Sequence, residues 1–401
     1  MFSSSDKNEN KDTEQKTLPD PVHGFILKAF EDNATDIHID SFENQTVIRH
    51  RVDGIIYEQQ TLSEEQSRRL INEIKVTAGI GIEKSITPQE GHIEFWHNGV
   101  RRYIRATVMP TGHVESAHLR IISEPYENWD INNLGFQKDD EQKVMKALES
   151  TSGLILISGQ TGTGKTTTMY TLASMLDLKS SVGVSMEDPV EFNLPGLRQL
   201  QVDYEHGFSM SDGLKVLLRA DPDVIVVAEI RDKASAITAA KAALAGRLVI
   251  ATLHSKNAAH AVEAMRYLSV PNYILANVLH MVIGQRLLRT LCEHCAKVRK
   301  IKKQEKAVFK RNRIKPPKKI KTAVGCQHCG SKGYKGLTGA FETVQLTEED
   351  ENAILSEFSA HELEDYFYKK GMRSMLNDGL QKVIDGKTSF EEITRVFWSV
   401  F

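Results

Sequence analysis

The sequence has few cysteines and no long run of apolar residues. Only 4 of its 401 residues are cysteine. No apolar stretch reaches membrane-spanning length, and the N-terminal residues are polar rather than signal-like. We therefore expect a protein that is made and kept in the cytosol, where cysteines bind metal more often than they form disulfides. The 40% of hydrophobic residues and the chain length predict two or three globular domains.

Net charge is also small, at −2, which excludes a chain that binds nucleic acid through its overall charge. The charge is nevertheless uneven. Between Cys295 and Cys326 there are thirteen Lys or Arg and one acid, Glu305, so this segment carries +12 and the rest about −14 (−2 minus 12). The segment has one aromatic residue, Phe309, and gives little support for base stacking. It predicts a solvated loop or an extended helical hairpin, with binding to acidic phospholipid or an acidic partner as the less favoured alternative.

The clearest motif is a glycine-rich loop at residues 159–166. It fits the pattern G-x-x-x-x-G-K-[ST], follows a predicted strand at 154–158 and precedes a predicted helix at 167–178. Backbone N–H groups of such a loop surround phosphate; the lysine reaches the β- and γ-phosphates, and the hydroxyl of Thr166 holds Mg²⁺. A glycine turn before an unrelated helix is the alternative. The pattern and its context predict a nucleoside triphosphate site formed by Gly159, Thr161, Gly162, Thr163, Gly164, Lys165, Thr166 and Thr167.

Acidic residues and a histidine follow three other predicted strands. Glu229 ends the strand at 224–228, where ligands of α/β sheets lie, and could act as general base on water; a helix N-terminal acid is the alternative. Glu187 and Glu191 follow the strand at 182–186 and could bind Mg²⁺ or polarise the attacking water, or else form an acidic surface turn. His254 follows the strand at 248–253, where a γ-phosphate sensor and a structural histidine are equally compatible with the spacing.

Two arginines, Arg105 and Arg120, lie on predicted strands of the N-terminal part of the chain. If that part folds over the nucleotide, they could neutralise charge on the γ-phosphate as arginine fingers do. Solvated arginines on a sheet are the alternative.

The four cysteines form two CxxC pairs, Cys292 with Cys295 and Cys326 with Cys329, with thirty residues between the pairs. Each pair can supply two ligands to one tetrahedral ion, so the spacing predicts a structural Zn²⁺ site with no open coordination position. His294 and His328 could substitute as ligands, and four free thiols are the alternative.

Strand and helix patterns divide the chain into six segments. We predict a disordered tail (1–18), an α+β domain (19–122), a linker (123–135), an α/β domain with a parallel sheet covered on both faces (136–291), a cysteine module (292–339) and a helical C-terminal region (340–401). Within the α/β domain, residues 257–291 are predicted to be mostly helical.

These motifs together resemble the secretion-ATPase family, the hexameric motors of type II secretion and type IV pilus assembly. The resemblance covers about residues 22–398 and lies in residues 34–39, 49–54, 88–91, 153–168, 187–191, 218–232, 246–254, 285–287, 333–336 and 371–372. It implies a RecA-like ATPase domain after a smaller PAS-like domain, with ATP, Mg²⁺ and Zn²⁺. It also implies that Glu229 supports hydrolysis, that Glu187 and Glu191 orient magnesium and water, that His254 belongs to the His box, and that Arg105 and Arg120 turn toward ATP.

Several positions depart from that family pattern. Ala228 replaces a glycine, Arg247 a histidine, Ala245 a threonine or serine, and Leu337 an arginine. The added methyl of Ala228 could slow the motor. We expect the protein to lack the extra N-terminal domain of many assembly ATPases, so that it resembles a short assembly-type motor.

The resemblance implies a homo-oligomer of six, peripheral at the inner membrane, that works on a polytopic inner-membrane platform protein without nucleic acid. The alternatives are a pilus retraction motor, which the resemblance implies would lack the cysteines, a DNA-translocating or conjugation ATPase, and a non-hydrolysing regulatory subunit.

Overall fold

The computed structural model describes residues 20–83, 86–97, 100–112, 114–122 and 130–398. The predicted tail at 1–18 and residues 123–129 of the predicted linker lie outside this part of the chain. The chain divides into two compact units between residues 125 and 126. Among the described residues, no helix has the length and apolar character needed to cross a bilayer.

The N-terminal unit is an antiparallel sheet with two helices on one face. Its elements are α1 (Asp20–Glu31), β1 (Ala34–Ser41), β2 (Thr46–Val52), β3 (Ile55–Leu62), α2 (Glu64–Thr77), β4 (Gln89–His97), β5 (Val100–Met109) and β6 (Ser116–Ile122). The strand order is β3-β2-β1-β6-β5-β4. Alternate residues such as Ile37, Ile39 and Ile104 are fully buried against α1 and α2, which leaves the intervening polar residues on the other face.

Two local predictions for this unit are confirmed. Asp53 and Gly54 join β2 to β3 with φ of 49° and 78°, the left-handed conformation that a tight hairpin turn requires. Ser63 and Gln66 form the expected capping box at the start of α2, because each side chain bonds the other residue's backbone N–H.

The C-terminal unit is built on a seven-stranded sheet. Its first elements are α3 (Ile131–Leu134), α4 (Lys138–Leu148), β7 (Gly153–Ser158), α5 (Lys165–Ser174), β8 (Gly183–Glu187), β9 (Leu197–Gln201), α6 (Met210–Leu217), β10 (Val224–Ile230), α7 (Lys233–Leu244), β11 (Leu248–Leu253), α8 (Ala258–Tyr267), α9 (Asn272–Val278) and β12 (Leu279–Leu291). The remaining elements are β13 (Lys297–Lys300), α10 (Lys303–Arg311), β14 (Lys319–Thr322), a 3₁₀ turn (Gln327–Cys329), β15 (Tyr334–Gln345), a second 3₁₀ turn (Glu348–Asp350), α11 (Glu351–Leu355), α12 (Ala360–Lys369), α13 (Met375–Ile384) and α14 (Phe390–Val396).

The sheet has the order β15-β12-β7-β11-β10-β8-β9, parallel except for β15. Strand β7 shows why it is covered on both faces. Leu154 and Leu156 point into one apolar core, whereas Ile155 and Ile157 point into the other. The parallel sheet covered on both faces, which the uniformly apolar strands predicted, is confirmed. The region predicted to be helical, 340–401, contains α11 to α14, but its residues 340–345 belong to strand β15.

Three sequence predictions are wrong in this unit. Residues 279–291 form strand β12 between β7 and β15 rather than a helix, because pairing with strands distant in the chain, which local periodicity does not show, decides their structure. The segment 297–321 is neither a loop nor a helical hairpin. Strand β13 pairs with β14, and α10, which connects them in the chain, packs through Phe309 into a core with Ile320, α13 and α14. Residues 131–134, assigned to the linker, form helix α3, because Ile131 is buried beside Phe136.

Candidate active site and candidate metal centre

The glycine-rich loop joins the carboxyl end of β7 to the N-terminus of α5. Gly162 and Gly164 have φ of 75° and 83°, a conformation that side chains disfavour. A Cβ atom on Gly159 would lie 2.4 Å from the hydroxyl oxygen of Thr163, so no larger residue fits there. Gln285 on β12 supports the loop, since its Nε2 donates to the carbonyl oxygen of Thr163 at 2.6 Å. The loop therefore has the backbone form that exposes N–H groups to an anion.

Lys165 is the first residue of α5, and its side chain folds back over the loop. Its Nζ donates to the carbonyl oxygens of Gly159 at 2.9 Å and Gln160 at 3.0 Å, and lies 3.4 Å from Nδ1 of His254. Burial lowers the pKa of Lys165, and the neighbouring charge of Glu229 opposes this shift. The ammonium group is thus held beside the loop, where a loop of this form would surround a phosphate.

Glu229 and His254 meet beside Lys165. Nε2 of His254 contacts Oε1 of Glu229, while Arg231 donates to Oε2 of Glu229 at 2.6 Å. Burial, followed by the charge of Lys165, lowers the pKa of His254, and the charge of Glu229 opposes this shift. A neutral ring that accepts from Lys165 at Nδ1 donates from Nε2 to Glu229. The structure therefore brings together three of the residues chosen from the sequence and adds Arg231.

The position of Glu229 depends on an irregularity in β10. The pairing of β10 with β11 shifts register between Val227 and Ile230, and the Thr252 hydroxyl donates to the carbonyl of Ala228 inside that interval. Such a bulge changes the direction in which the next side chain points. Arg231 also donates to Asp188 at 3.1 Å, which ties the end of β10 to the residue after β8. Sequence reading placed Arg231 and Asp188 inside family motifs but gave them no role.

Glu187 lies at the end of β8 with its side chain turned into the core. It is 1% exposed and accepts hydrogen bonds from the Tyr170 hydroxyl, from Ser185 at 2.6 Å and from Gln199 at 2.8 Å. Among the described contacts, none joins Glu187 to Lys165 or Glu229. Glu191 lies on the exposed loop that follows the cis Asp188–Pro189 bond. Its charge contributes to raising the pKa of Tyr170.

We expect Glu187→Ala to destabilise the C-terminal unit. Removing the carboxylate takes this acceptor from the buried hydroxyls of Tyr170 and Ser185, which should lower the free energy of unfolding by about 3 kcal/mol. Urea denaturation followed by circular dichroism measures the change. Glu191→Ala is the matched control, because it removes an exposed carboxylate from the same segment and should change stability by less than about 0.5 kcal/mol. Equal stability of the two variants would contradict the burial-based assignment.

Arg105 and Arg120 lie opposite each other on β5 and β6, on the polar face of the N-terminal sheet. Nε of Arg120 donates to Oδ1 of Asp36 at 3.0 Å, and the same oxygen lies 2.9 Å from Nε2 of His118. The Arg120 side chain is 51% exposed despite this bond. Burial raises the pKa of Asp36, but bonding to His118, Thr35 and Arg120 outweighs it and holds the pKa well below its usual range.

A cavity lies on the outer side of the glycine-rich loop. Its walls come from α3, from the start of α5, and from β12 and β15, and they include Asp130, Leu134, Gly164, Thr167, Thr171, Gln285, Leu287, Leu337 and Phe341. Its lining includes the hydroxyl groups of Thr167 and Thr171 as well as apolar side chains. Sequence reading gave no role in binding to Asp130, Leu134 or Leu337, because they lie far along the chain from the loop.

The four cysteines converge on one point. Their sulfur atoms all lie within 4.8 Å of one another, with distances of 3.9 Å for Cys292–Cys326, 3.8 Å for Cys295–Cys329 and 3.8 Å for Cys326–Cys329. A tetrahedral ion with bonds of about 2.3 Å needs sulfur atoms about 3.8 Å apart. The donor set therefore fits Zn²⁺. His294 and His328 stack on each other, with ring centroids 4.0 Å apart, and are not part of this cluster.

Backbone N–H groups point at the sulfur atoms. Gly333 donates to Cys329 at 3.1 Å, Cys326 donates to Cys329 at 3.2 Å, and Gly325 donates to Cys295 at 3.3 Å. Burial by itself raises the pKa of Cys329, but the two N–H groups outweigh it and lower the pKa to about 7. These donors favour the thiolate form that binds metal.

Comparison with known proteins gives consistent results. The model of the family described as "Type II/IV secretion system protein" matches residues 11–395. The putative type II secretion system protein E of Escherichia coli K12 is 34% identical over 375 residues, which cover 94% of this chain and 76% of the relative. The type II secretion system ATPase E of Vibrio cholerae is 34% identical, with coverage of 94% and 74%. The type IV pilus assembly ATPase PilB of Pseudomonas aeruginosa is 33% identical, with coverage of 98% and 70%.

Solved structures show the same fold at lower identity. The ATPase DotB of Legionella pneumophila has a TM-score of 0.69 at 20% identity and covers 96% of this chain and 97% of its own. The pilus retraction motor PilT with bound ADP has a TM-score of 0.60 at 23% identity, with coverage of 92% and 95%. The family resemblance and the fold class inferred from the sequence are confirmed: the chain belongs to the type II/IV secretion system protein family.

Proposed function

We propose that this chain is an ATPase motor that drives assembly of a type IV pilus, a competence pseudopilus or a type II secretion pseudopilus. The observation that carries the proposal is the contact series from Lys165 through His254 to Glu229 beside the glycine-rich loop. It occurs in a family whose relatives include secretion and pilus-assembly ATPases. The chain is an ATP-hydrolysing enzyme of this family.

Each residue of the site has a separate role in ATP hydrolysis. The loop N–H groups and Lys165 hold the phosphates, and Thr166 would hold Mg²⁺, which neutralises charge on the β- and γ-phosphates when bound. Glu229 orients the attacking water and accepts its proton as the bond between the γ-phosphorus and the bridging oxygen breaks. His254 and Arg231 each hold one oxygen of Glu229, so the carboxylate is oriented before substrate binds.

The cavity beside α5 fits the base and ribose of the nucleotide. It adjoins Gly164, and its Thr167 and Thr171 hydroxyls lie among apolar walls from Leu134 and Leu337. Leu337 replaces the arginine that the family resemblance led us to expect. This substitution makes the wall of the cavity more apolar, which suits a flat base.

The wider machine includes a ring of six copies and a polytopic inner-membrane platform protein. ATP turnover would move the two compact units against each other and pass force to that protein. The cysteine cluster favours assembly over retraction, because the family resemblance implies that retraction motors lack it. DNA translocation has only the lysine-rich segment in its favour.

The decisive experiment is phosphate release by the purified chain. We expect hydrolysis with ATP and Mg²⁺ and none after EDTA removes the magnesium. Mass photometry with a non-hydrolysable ATP analogue should show a ring of six. A chain that binds no Mg²⁺–ATP would overturn the proposal. A monomer that hydrolyses ATP would contradict only the proposed ring of six copies.

We expect Arg105→Ala and Arg120→Ala each to reduce ATP turnover at least about tenfold if both arginines neutralise γ-phosphate charge. The matched control is Arg68→Ala, because Arg68 is an exposed α2 arginine that, among the described residues, forms an ion pair with Glu64 four residues away. Turnover at saturating ATP and the melting temperature should be measured for all three variants. Unchanged turnover in both sheet variants would assign these arginines to the solvated face of the sheet.

A further inference from the structure

A row of charged side chains crosses the polar face of the N-terminal sheet. The strand register places Asp36 of β1 directly opposite Arg51 of β2 on one side and Arg120 of β6 on the other. Arg105 of β5 lies opposite Arg120 and extends the row. Side chains at directly opposite positions share one face of a sheet. Asp36 therefore supplies the one carboxylate in a row of three arginines.

The Asp36 carboxylate is held in place through both of its oxygens. Asp36 is 6% exposed. Its Oδ1 lies 2.9 Å from Nε2 of His118, and its Oδ2 accepts from the Thr35 hydroxyl at 2.8 Å. Nε of Arg51 lies 3.7 Å from the same Oδ2. A buried carboxylate that is bonded on both sides has little freedom to rotate, so it offers Arg120 an acceptor in a fixed position.

Arg120 contacts this carboxylate through one of its three nitrogens. Its Nε donates to Oδ1 of Asp36 at 3.0 Å, and none of the described hydrogen bonds uses its Nη1 or Nη2. The Arg120 side chain is 51% exposed. A guanidinium group binds phosphate with two parallel N–H bonds, which Nη1 and Nη2 can supply. The bond at Nε thus orients the guanidinium plane and leaves its phosphate-binding end exposed.

A second ion pair on the same face has a different geometry. Asp40 lies on β1 four residues after Asp36, so its side chain points to the same face. Oδ2 of Asp40 accepts from both Nε and Nη2 of Arg49, at 3.0 and 2.6 Å. This contact occupies one of the two terminal nitrogens of Arg49. The Asp40–Arg49 pair joins β1 to β2 without presenting a complete guanidinium fork to a ligand.

The neighbouring Arg105 explains why Arg120 needs a carboxylate. Like charges at directly opposite positions of a sheet repel each other, and Arg105 lies opposite Arg120. In the absence of Asp36, this repulsion would favour conformations in which the Arg120 side chain turns away from Arg105. The negative charge of Asp36 offsets the repulsion and keeps Arg120 in the row.

We propose that Asp36 is a positioning residue that orients Arg120 for binding to the γ-phosphate of ATP. The inference rests on the proposed function, in which Arg120 neutralises charge on that phosphate. Asp36 acts through the bond to Nε of Arg120 and does not itself contact the nucleotide. Because the guanidinium is oriented before ATP binds, it does not have to be ordered during each turnover.

The test is a double-mutant cycle on the full chain, measured as phosphate release at saturating ATP with Mg²⁺. We expect Asp36→Asn to lower turnover on the order of tenfold, the effect of losing one charge-assisted hydrogen bond, and by no more than Arg120→Ala does. The variant that carries both changes should hydrolyse ATP as fast as Arg120→Ala alone. A residue that acts only through Arg120 has no further effect once Arg120 is absent.

Asp40→Asn is the matched control, because it removes a carboxylate–arginine pair from the same strand and the same face. Its turnover should equal that of the wild type. A general loss of stability would lower turnover in this control as well, and in the double variant it would multiply with the effect of Arg120→Ala. If Asp36→Asn does not fold by circular dichroism, Asp36→Glu replaces it. That variant keeps the charge but moves it by one methylene, and it should lose turnover for the same reason.

Two results would overturn the positioning role while Arg120→Ala is impaired. One is wild-type turnover by Asp36→Asn, and the other is a double variant in which the two losses multiply. In both cases the proposed function and the role of Arg120 would stand. Full turnover by Arg120→Ala would instead contradict the role proposed for that arginine, and with it the positioning role of Asp36.

Discussion

Glu229→Gln should stop ATP hydrolysis while the chain still binds ATP. Glutamine keeps the shape of the side chain, and its amide oxygen can accept from His254, but it cannot take a proton from water. We expect turnover to fall by roughly 10²–10⁴, the range for loss of a general base. Phosphate release measures turnover, and equilibrium dialysis with Mg²⁺–ATP measures binding. The predicted signature is a lower turnover number with an unchanged dissociation constant.

Two further variants make this result specific. Lys165→Ala should lose binding as well as turnover, because it removes the cation that the loop holds for the phosphates. Glu149→Gln removes an exposed carboxylate at the end of α4 and should leave both quantities unchanged. Full activity of Glu229→Gln would show that another group activates the water and would leave Glu229 as an anchor for His254 and Arg231.

The sequence predicted this site because parallel strands end at the same edge of a sheet. Glu229 lies near the end of β10, His254 follows β11, and the glycine-rich loop follows β7, so the three meet although up to ninety-five residues separate them. Glu187 satisfies the same rule at the end of β8, yet its side chain turns inward to Tyr170, seventeen residues earlier. Strand order indicates where a residue lies, but side-chain direction depends on packing partners that the local pattern does not show.

Strand β12 shows why part of the fold could not be predicted from the sequence. It follows α9 directly, so no glycine or proline marks its start. Its Arg286 and Arg289 are half-buried only because α14 supplies acceptors, the Val396 carbonyl and the Glu392 carboxylate. Those partners are 110 and 103 residues away. A strand stabilised by such distant contacts cannot be distinguished from a helix by local periodicity.

Loss of one zinc ligand should unfold the cysteine module and destabilise the C-terminal unit. Cys292 follows β12 directly, and its N–H donates to the carbonyl of Gly333, next to the start of β15, at 3.1 Å. A metal bound to the four cysteines would link the end of β12 to the segment that leads into β15. Phe309 and Ile320 of the module also share a core with α13 and α14, so disorder in the module removes packing from both helices. Zinc binding free energy becomes folding free energy in such a site.

Cys329→Ser should therefore bind no zinc and melt about 10 °C or more below the wild type. Elemental analysis gives zinc per chain, and scanning calorimetry gives the melting temperature. His294→Asn with His328→Asn is the matched control, because those stacked rings adjoin the cluster without supplying ligands, and one zinc per chain should remain. A serine variant with full zinc would show that the three remaining thiolates, with water or another side chain in the fourth position, hold the ion. An unchanged melting temperature without zinc would mean that the β12–β15 pair and the core around Phe309 hold the module together without the metal.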